Sequence, residues 1–211
     1  MGPTTNVYVD GFNLYYAIRK TPYKWLDPGQ LFRQLLPQND IQRIRYFTAR
    51  IKPRPGDPLG PDRQDVYLRA LATVPGLSLH YGKFLASTKY MRLVDPPEPP
   101  QLPTVEVHHM EEKGSDVNLA TWMLVDAYEN DCEQSVLVTN DSDLAFPMQI
   151  LSQRLGRKVG LVNPWDANPS RMLMREGPTF VRRLRHGLLA ASQFPDEIDT
   201  GTRQLYKPPA W

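Results

Sequence analysis

The chain has 211 residues, 41% of them hydrophobic, and a net charge of only +2, which allows one sizeable core, or one core with a short appendage. No run approaches the roughly 18 apolar residues of a membrane span, and the start MGPTTNVYVD lacks a basic segment followed by an apolar one, so a soluble, unexported protein is expected. The single cysteine, Cys132, excludes an internal disulfide and a cysteine-based zinc cluster, in keeping with a reducing cytoplasm.

In chain order, Asn6 to Val9 alternates like a short strand and stops at the turn pair Asp10-Gly11. Phe12 to Lys20 reads as a helix, and Pro28 suits the first position of a second one that Pro37 ends. Ile41 to Ile51 reads as a strand, KPRPGDPLGP as a loop and Asp62 to Thr73 as a helix. Leu77 to Ala86 and Thr104 to Met110 both alternate, with the proline-rich DPPEPPQLP between them, as in a hairpin with a long tip. Ser115 to Asn130 places Val117, Ala120, Leu124 and Ala127 on one helical stripe, with Asp116 in the first turn. Ser135 to Val138 is a compact strand, Leu144 to Arg154 a helix, and Lys158 to Val162 a last strand closed by Asn163-Pro164. Pro178 to Gln193 reads as a basic amphipathic helix, and the last residues as an extended arm that packs on its own domain, joins a dimer or stays mobile. Strands separated by helices predict a mostly parallel sheet between two helical layers. The expected organisation is a domain over 1–164 and a helical extension over 165–211.

In such a sheet the functional crevice lies beyond the carboxyl ends of the strands, where Asp10 and Asp141 both fall. Asp10, Asp116, Asp141 and Asp143 are therefore candidate ligands of one or two divalent cations, because gathered carboxylates repel and a hard ion such as Mg²⁺ or Mn²⁺ offsets that. Such an ion suits phosphodiester hydrolysis. Each aspartate also has a bland role: Asp10 in a turn or cap, Asp143 as a cap, Asp116 at the positive end of its helix.

The segments VYVDGFNLYYA, EEKGSDVNLATWML and VLVTNDSDLAFPM, in that order and spacing, resemble the three signature segments of the NYN domain family, in its LabA-like (DUF88) branch, related to PIN nucleases. The resemblance runs from about Asn6 to Val162. It implies a compact PIN-like α/β/α sandwich, a metal-dependent nuclease centre and RNA as substrate. Asp10 then corresponds to the first metal aspartate, Asn13 to the asparagine supporting it, Asp116 to the acidic residue opening the later helix, and Asp141 with Asp143 to the final pair. Some relatives carry a different label, an NADH-dependent pyridine-ring hydroxylase, but no G-x-G-x-x-G follows a strand here.

Around these positions, Lys113 either holds a phosphate or is a solvated loop lysine. Glu112 is either an outer partner of the site or the end of a strand. Thr139, Asn140 and Ser142 either hydrogen-bond the aspartates or the phosphate, or form the turn. His108 and His109 point to opposite faces of a strand and do not chelate one ion together. Core packing is the expected fate of most of Tyr15, Tyr16, Tyr81 and Tyr90, against a role in base stacking. Arg43, Arg45, Arg50 and Lys52 are candidates for phosphate contacts, and the arginines near 171–185 form either a solvated helix face or part of a nucleic-acid footprint. Two functions follow: a metal-dependent ribonuclease, or a non-catalytic RNA-binding or regulatory protein that keeps the acidic pocket. Neither reading excludes a homodimer, and neither calls for a membrane.

Overall fold

The computed structural model describes residues 2–54, 56–98, 100–201 and 203–211. Pro55 and Pro99, which belong to the two proline-rich segments, lie outside the described residues. The first half of the chain forms β1 (Thr4–Asp10), α1 (Gly11–Ile18), α2 (Pro28–Leu35), β2 (Asp40–Thr48), α3 (Gly60–Leu71) and β3 (Leu77–Tyr81). A two-stranded ribbon follows, β4 (Lys83–Arg92) and β5 (Thr104–Lys113), leading into α4 (Ser115–Tyr128) and β6 (Gln134–Val138). The remainder comprises α5 (Ala145–Gln149), β7 (Lys158–Asn163), α6 (Arg171–Arg175), β8 (Phe180–Arg183), α7 (His186–Ala191), β9 (Glu197–Asp199) and β10 (Gln204–Tyr206).

Six strands make one sheet in the order β3-β2-β1-β6-β7-β8, each neighbouring pair parallel. Side chains alternate across it, as a pleated strand requires. Val7 and Val9 of β1 pack with residues of α1, α2, α3 and the 184–205 segment, whereas Tyr8 packs on the other face with Leu119 and Met123 of α4 and Met148 of α5. The result is the expected three-layer α/β/α sandwich. β2 and β6 flank β1 on opposite sides, so the strand order reverses there, the place where parallel sheets open a crevice.

Local chemistry sets the helix starts. The Asp27 carboxylate accepts from the Gln30 N–H at 3.1 Å, and Pro28 occupies the first helical position. Gly114, at φ +96°, turns β5 into α4 through a backbone region that side chains disfavour.

Several expectations are corrected. The alternating stretch 77–86 is two strands: β3 joins the central sheet, and β4 pairs antiparallel with β5 in the ribbon. The buried stripe of α4 is built on Leu119, Met123, Asp126 and Ala127, while Val117 is 68% exposed. A buried aspartate misleads a stripe read from apolar letters. The helix expected over 178–193 is instead β8 followed by the short α7, because Phe180 to Arg183 extends the sheet beside β7. The segment 165–211 thus contributes the sixth strand. The terminal arm folds back onto its own domain, with Trp211 against Tyr67 (ring centroids 5.2 Å apart) and Lys24 donating to the Ala210 carbonyl at 2.6 Å.

Three of the four candidate phosphate contacts are occupied elsewhere. Arg43 pairs with Asp131 at 2.7 Å and Arg50 with Asp65 at 2.9 Å. Arg45 lies beneath the sheet, donating from Nε and Nη2 to both oxygens of Asp126 at 2.7 Å, with its guanidinium 4.1 Å from the centre of the Trp122 ring. Tyr8 Oη and Asn6 Nδ2 donate to the same Asp126 oxygen at 2.7 and 3.3 Å. The tyrosines also depart from expectation: Tyr15, Tyr16, Tyr81 and Tyr90 are all exposed. Among the described residues no helix is long and apolar enough to cross a membrane.

Candidate metal centre

Asp10 ends β1 and starts α1. Its Oδ1 accepts from the Asn13 N–H at 2.9 Å, a helix cap, and its Oδ2 accepts from the Thr139 hydroxyl at 2.8 Å. Only 6% of Asp10 is exposed. Gly11 lets the chain turn here, because a Cβ at this position would stand 2.6 Å from the Phe47 carbonyl oxygen. Thr139, fully buried just after β6, also accepts from the Asp141 N–H at 3.0 Å. One hydroxyl therefore ties the two strand-end aspartates together.

Asn13 closes the same corner. Its side-chain oxygen accepts from the Asn140 N–H at 3.1 Å and from Trp165 Nε1 at 2.8 Å. The Asn140 side chain holds the 168–170 loop, accepting from the Ser170 N–H at 2.6 Å and donating to the Asn168 carbonyl at 3.4 Å. Asp141 caps the next turn by accepting from the Asp143 N–H at 3.0 Å. Ser142 opens that turn and makes no side-chain hydrogen bond among the described residues.

An open cleft at this edge is lined by Asp10, Glu112, Asp116 and Asp141, with Phe12, Asn13, Tyr16, Arg19 and Trp165. Asp143 is exposed and is not part of that lining, although its charge acts on Asp116. Glu112, which the sequence offers as an outer partner of the site or the end of a strand, lines this cleft. Here its Oε1 accepts from the Ser115 N–H at 3.1 Å and hydroxyl at 2.7 Å, fastening the start of α4 to the ribbon. Lys113 lies outside the cleft, its Nζ 3.5 Å from Glu111. Trp165 and Arg19 were missed as lining residues. The side-chain alternation of β5 sends Glu111 and Glu112 to opposite faces, and Glu112 is the one on the cleft.

The electrostatics record concentrated negative charge. Burial pushes the Asp116 carboxyl up to about 6, and the charges of Asp10, Asp141, Glu112 and Asp143 push the same way. Asp10 is also raised, by burial first and then by Asp141 and Glu112, against the opposing hydrogen bonds from Asn13 and Thr139. Among the described residues no three of His, Cys, Asp and Glu stand close enough to form a ready-made cage. The donor set nonetheless fits a hard cation, since Mg²⁺ keeps several waters and is held by one or two carboxylates plus substrate phosphate.

A parallel α/β/α sandwich with an acidic crevice at its switch point belongs to the PIN-like class of nuclease folds. The NYN domain family model matches residues 4–182, and the chain belongs to that family. Members of this superfamily usually use divalent metals. The chain is 31% identical over 235 residues to 6-hydroxy-3-succinoylpyridine 3-monooxygenase HspA of Pseudomonas putida, a match spanning 98% of this chain and 75% of that protein. Its fold is similar to the crystal structure of a protein of unknown function from Vibrio parahaemolyticus. That likeness has a TM-score of 0.56 and 15% identity, covering 88% of this chain and 94% of the other.

Proposed function

We propose that the protein is a metal-dependent ribonuclease in which Asp10, Asp116, Asp141 and Asp143 hold Mg²⁺ or Mn²⁺. The observation that carries this reading is the convergence of Asp10, Glu112, Asp116 and Asp141 on one cleft, with the Asp116 carboxyl raised to about 6. A bound cation at this place supplies charge neutralisation at the phosphodiester and a more acidic water. Asp10 is held rigid for that task by Asn13 and Thr139, and Thr139 sets Asp141 through its backbone. Asp143 is exposed beside the cleft and adds its charge to the group, raising the Asp116 carboxyl. The test is incubation with mixed structured and single-stranded RNAs in Mn²⁺ or Mg²⁺. Cleavage is expected from the unsubstituted protein and not from Asp141→Asn, and equal cleavage by both would sink the assignment.

Metal and proton compete for the same carboxylates, so the reading has a pH signature. The Asp116 carboxyl moves from its ordinary 3.8 to about 6 on folding. Its contribution to stability is fully present below the unfolded value and is lost as pH rises through the folded one. In EDTA the thermal midpoint is expected to fall between about pH 4 and pH 6 on this account. Mn²⁺ is expected to raise it above pH 6 and to do little near pH 4. Differential scanning fluorimetry checks this, and an equal Mn²⁺ shift at both ends would count against a carboxylate site.

A second reading is favoured by one observation, the match to the HspA monooxygenase along 98% of this chain. Hydroxylation of a pyridine ring needs O₂ and a two-electron reductant such as NADH. The β1–α1 turn, Asp10-Gly11-Phe12-Asn13, carries no glycine-rich dinucleotide fingerprint. NADH consumption dependent on 6-hydroxy-3-succinoylpyridine would favour this reading over hydrolysis.

A further inference from the structure

We propose that the aromatic cavity beside the acidic cleft seats one unpaired nucleobase of the RNA strand, with the adjoining phosphate on Arg19 and Lys52. The inference rests on the ribonuclease reading for the identity of the strand, and adds where the strand is gripped. The cavity measures about 240 Å³ and shares Phe12, Tyr16 and Arg19 with the cleft that holds Asp10 and Asp116. The two spaces are neighbouring compartments of one surface.

The lining has the chemistry of a single-strand platform. Phe12 meets Phe84 edge to face at 5.6 Å, and Tyr15 and Tyr16 meet at 5.7 Å, so the rings brace one another. Tyr15 and Tyr16 nevertheless remain 40% and 39% exposed. Exposed, braced aromatic faces next to cations stack on bases without choosing among them, because every base has a π-face. Arg19 lies 5.0 Å from the centre of the Tyr16 ring. Neither Arg19 nor Lys52 forms an ion pair among the described residues, whereas Arg63, also on the lining, is committed to Asp57. A duplex keeps its base faces stacked on each other, so this cavity admits a single-stranded nucleotide.

Helix α1 links the compartments. Asp10 caps it, and Phe12, Tyr16 and Arg19 follow from its first turn to its end, so a base on this wall lies a fixed distance from the carboxylates. Gly11 is packed against the Phe47 carbonyl and the Tyr46 ring, which leaves that spacing little freedom. The nucleotide seated here therefore neighbours the phosphodiester presented to the cleft.

The test titrates adenosine and uridine monophosphates, a short single-stranded RNA and nicotinate into the Asp141→Asn protein in EDTA, by calorimetry. Tyr16→Ala and Lys52→Glu are made on the same background, with circular dichroism as the check on folding. The RNA is expected to bind more tightly than either mononucleotide. Tyr16→Ala should weaken it by about five- to 150-fold, the range for losing one base stack. Lys52→Glu should weaken it most at low salt. Unchanged RNA affinity in both variants would overturn the proposal. So would nicotinate or a mononucleotide binding as tightly as the strand, which would make this a small-molecule site. Cleavage in Mn²⁺ is measured separately on the unsubstituted protein. Active cleavage with RNA affinity indifferent to Tyr16 and Lys52 removes the pocket and leaves the nuclease. Tyr16-dependent RNA binding by a protein inert in every metal supports the pocket and removes the nuclease.

Discussion

Asp10→Asn is expected to lower RNA cleavage by about a thousand-fold or more while the fold survives. On the ribonuclease reading proposed above, several kcal/mol of charge stabilisation at the reacting phosphate would depend on a cation held in part by this carboxylate, and each ~1.4 kcal/mol is a tenfold change in rate. The amide keeps the cap, since its oxygen still accepts from the Asn13 N–H. Its NH₂ then faces Thr139 Oγ1, which accepts a second hydrogen bond once its hydroxyl turns away. The substitution also removes a buried charge from a group of like charges, so the thermal midpoint in EDTA is expected to rise rather than fall. Cleavage assays and thermal melts with and without Mn²⁺ check both halves. A variant cleaving within about tenfold of the parent would remove Asp10 from the metal centre.

Arg45→Met is expected to cost about 3–5 kcal/mol of stability, because it strands the Asp126 carboxylate beneath the sheet. Side-chain exposures of 11% for Arg45 and 1% for Asp126 mean that water does not replace the lost partner. Tyr8 and Asn6 still donate to Asp126, but they carry no charge. For a chain of this length the loss corresponds to a drop of roughly 6–20 °C in thermal midpoint. Adding Asp126→Leu should recover much of it, since removing both charges ends the desolvation cost that removing one exposes. If the single variant melts with the parent, Asp126 has another source of compensation.

The strand-end aspartates were legible in the sequence for a physical reason. Val7 to Val9 of β1 and Val136 to Val138 of β6 are buried short apolar runs, and the polar letters that follow each mark the strand end where Asp10 and Asp141 stand. Asp116 was legible because Gly114 and Ser115 mark a helix start. What was not legible depended on partners far away in the chain. Asp126 is buried because Arg45, 81 positions earlier, reaches it, so the buried stripe of α4 includes a charged letter. Phe180 to Arg183 has the composition of a basic helix face and becomes a strand because β7 offers an unpaired edge. Tyr15 and Tyr16 look like core residues and stand exposed, because the space in front of them is a cavity that other elements enclose without filling.

The β4–β5 ribbon has a consequence for how this architecture varies. It leaves the sandwich at Gly82 and returns at Gly114, and a Cβ at Gly114 would stand only 3.9 Å from the Gly82 Cα. Departure and return are thus neighbours, and the Lys83–Lys113 pair forms the first rung of a ladder that ends at Arg92–Thr104. Rungs can be deleted or added two residues at a time from the far end without shifting Glu112, Ser115 or the start of α4. The ribbon is a side branch, free to diverge in length and surface between lineages while the carboxylates at its root keep their places.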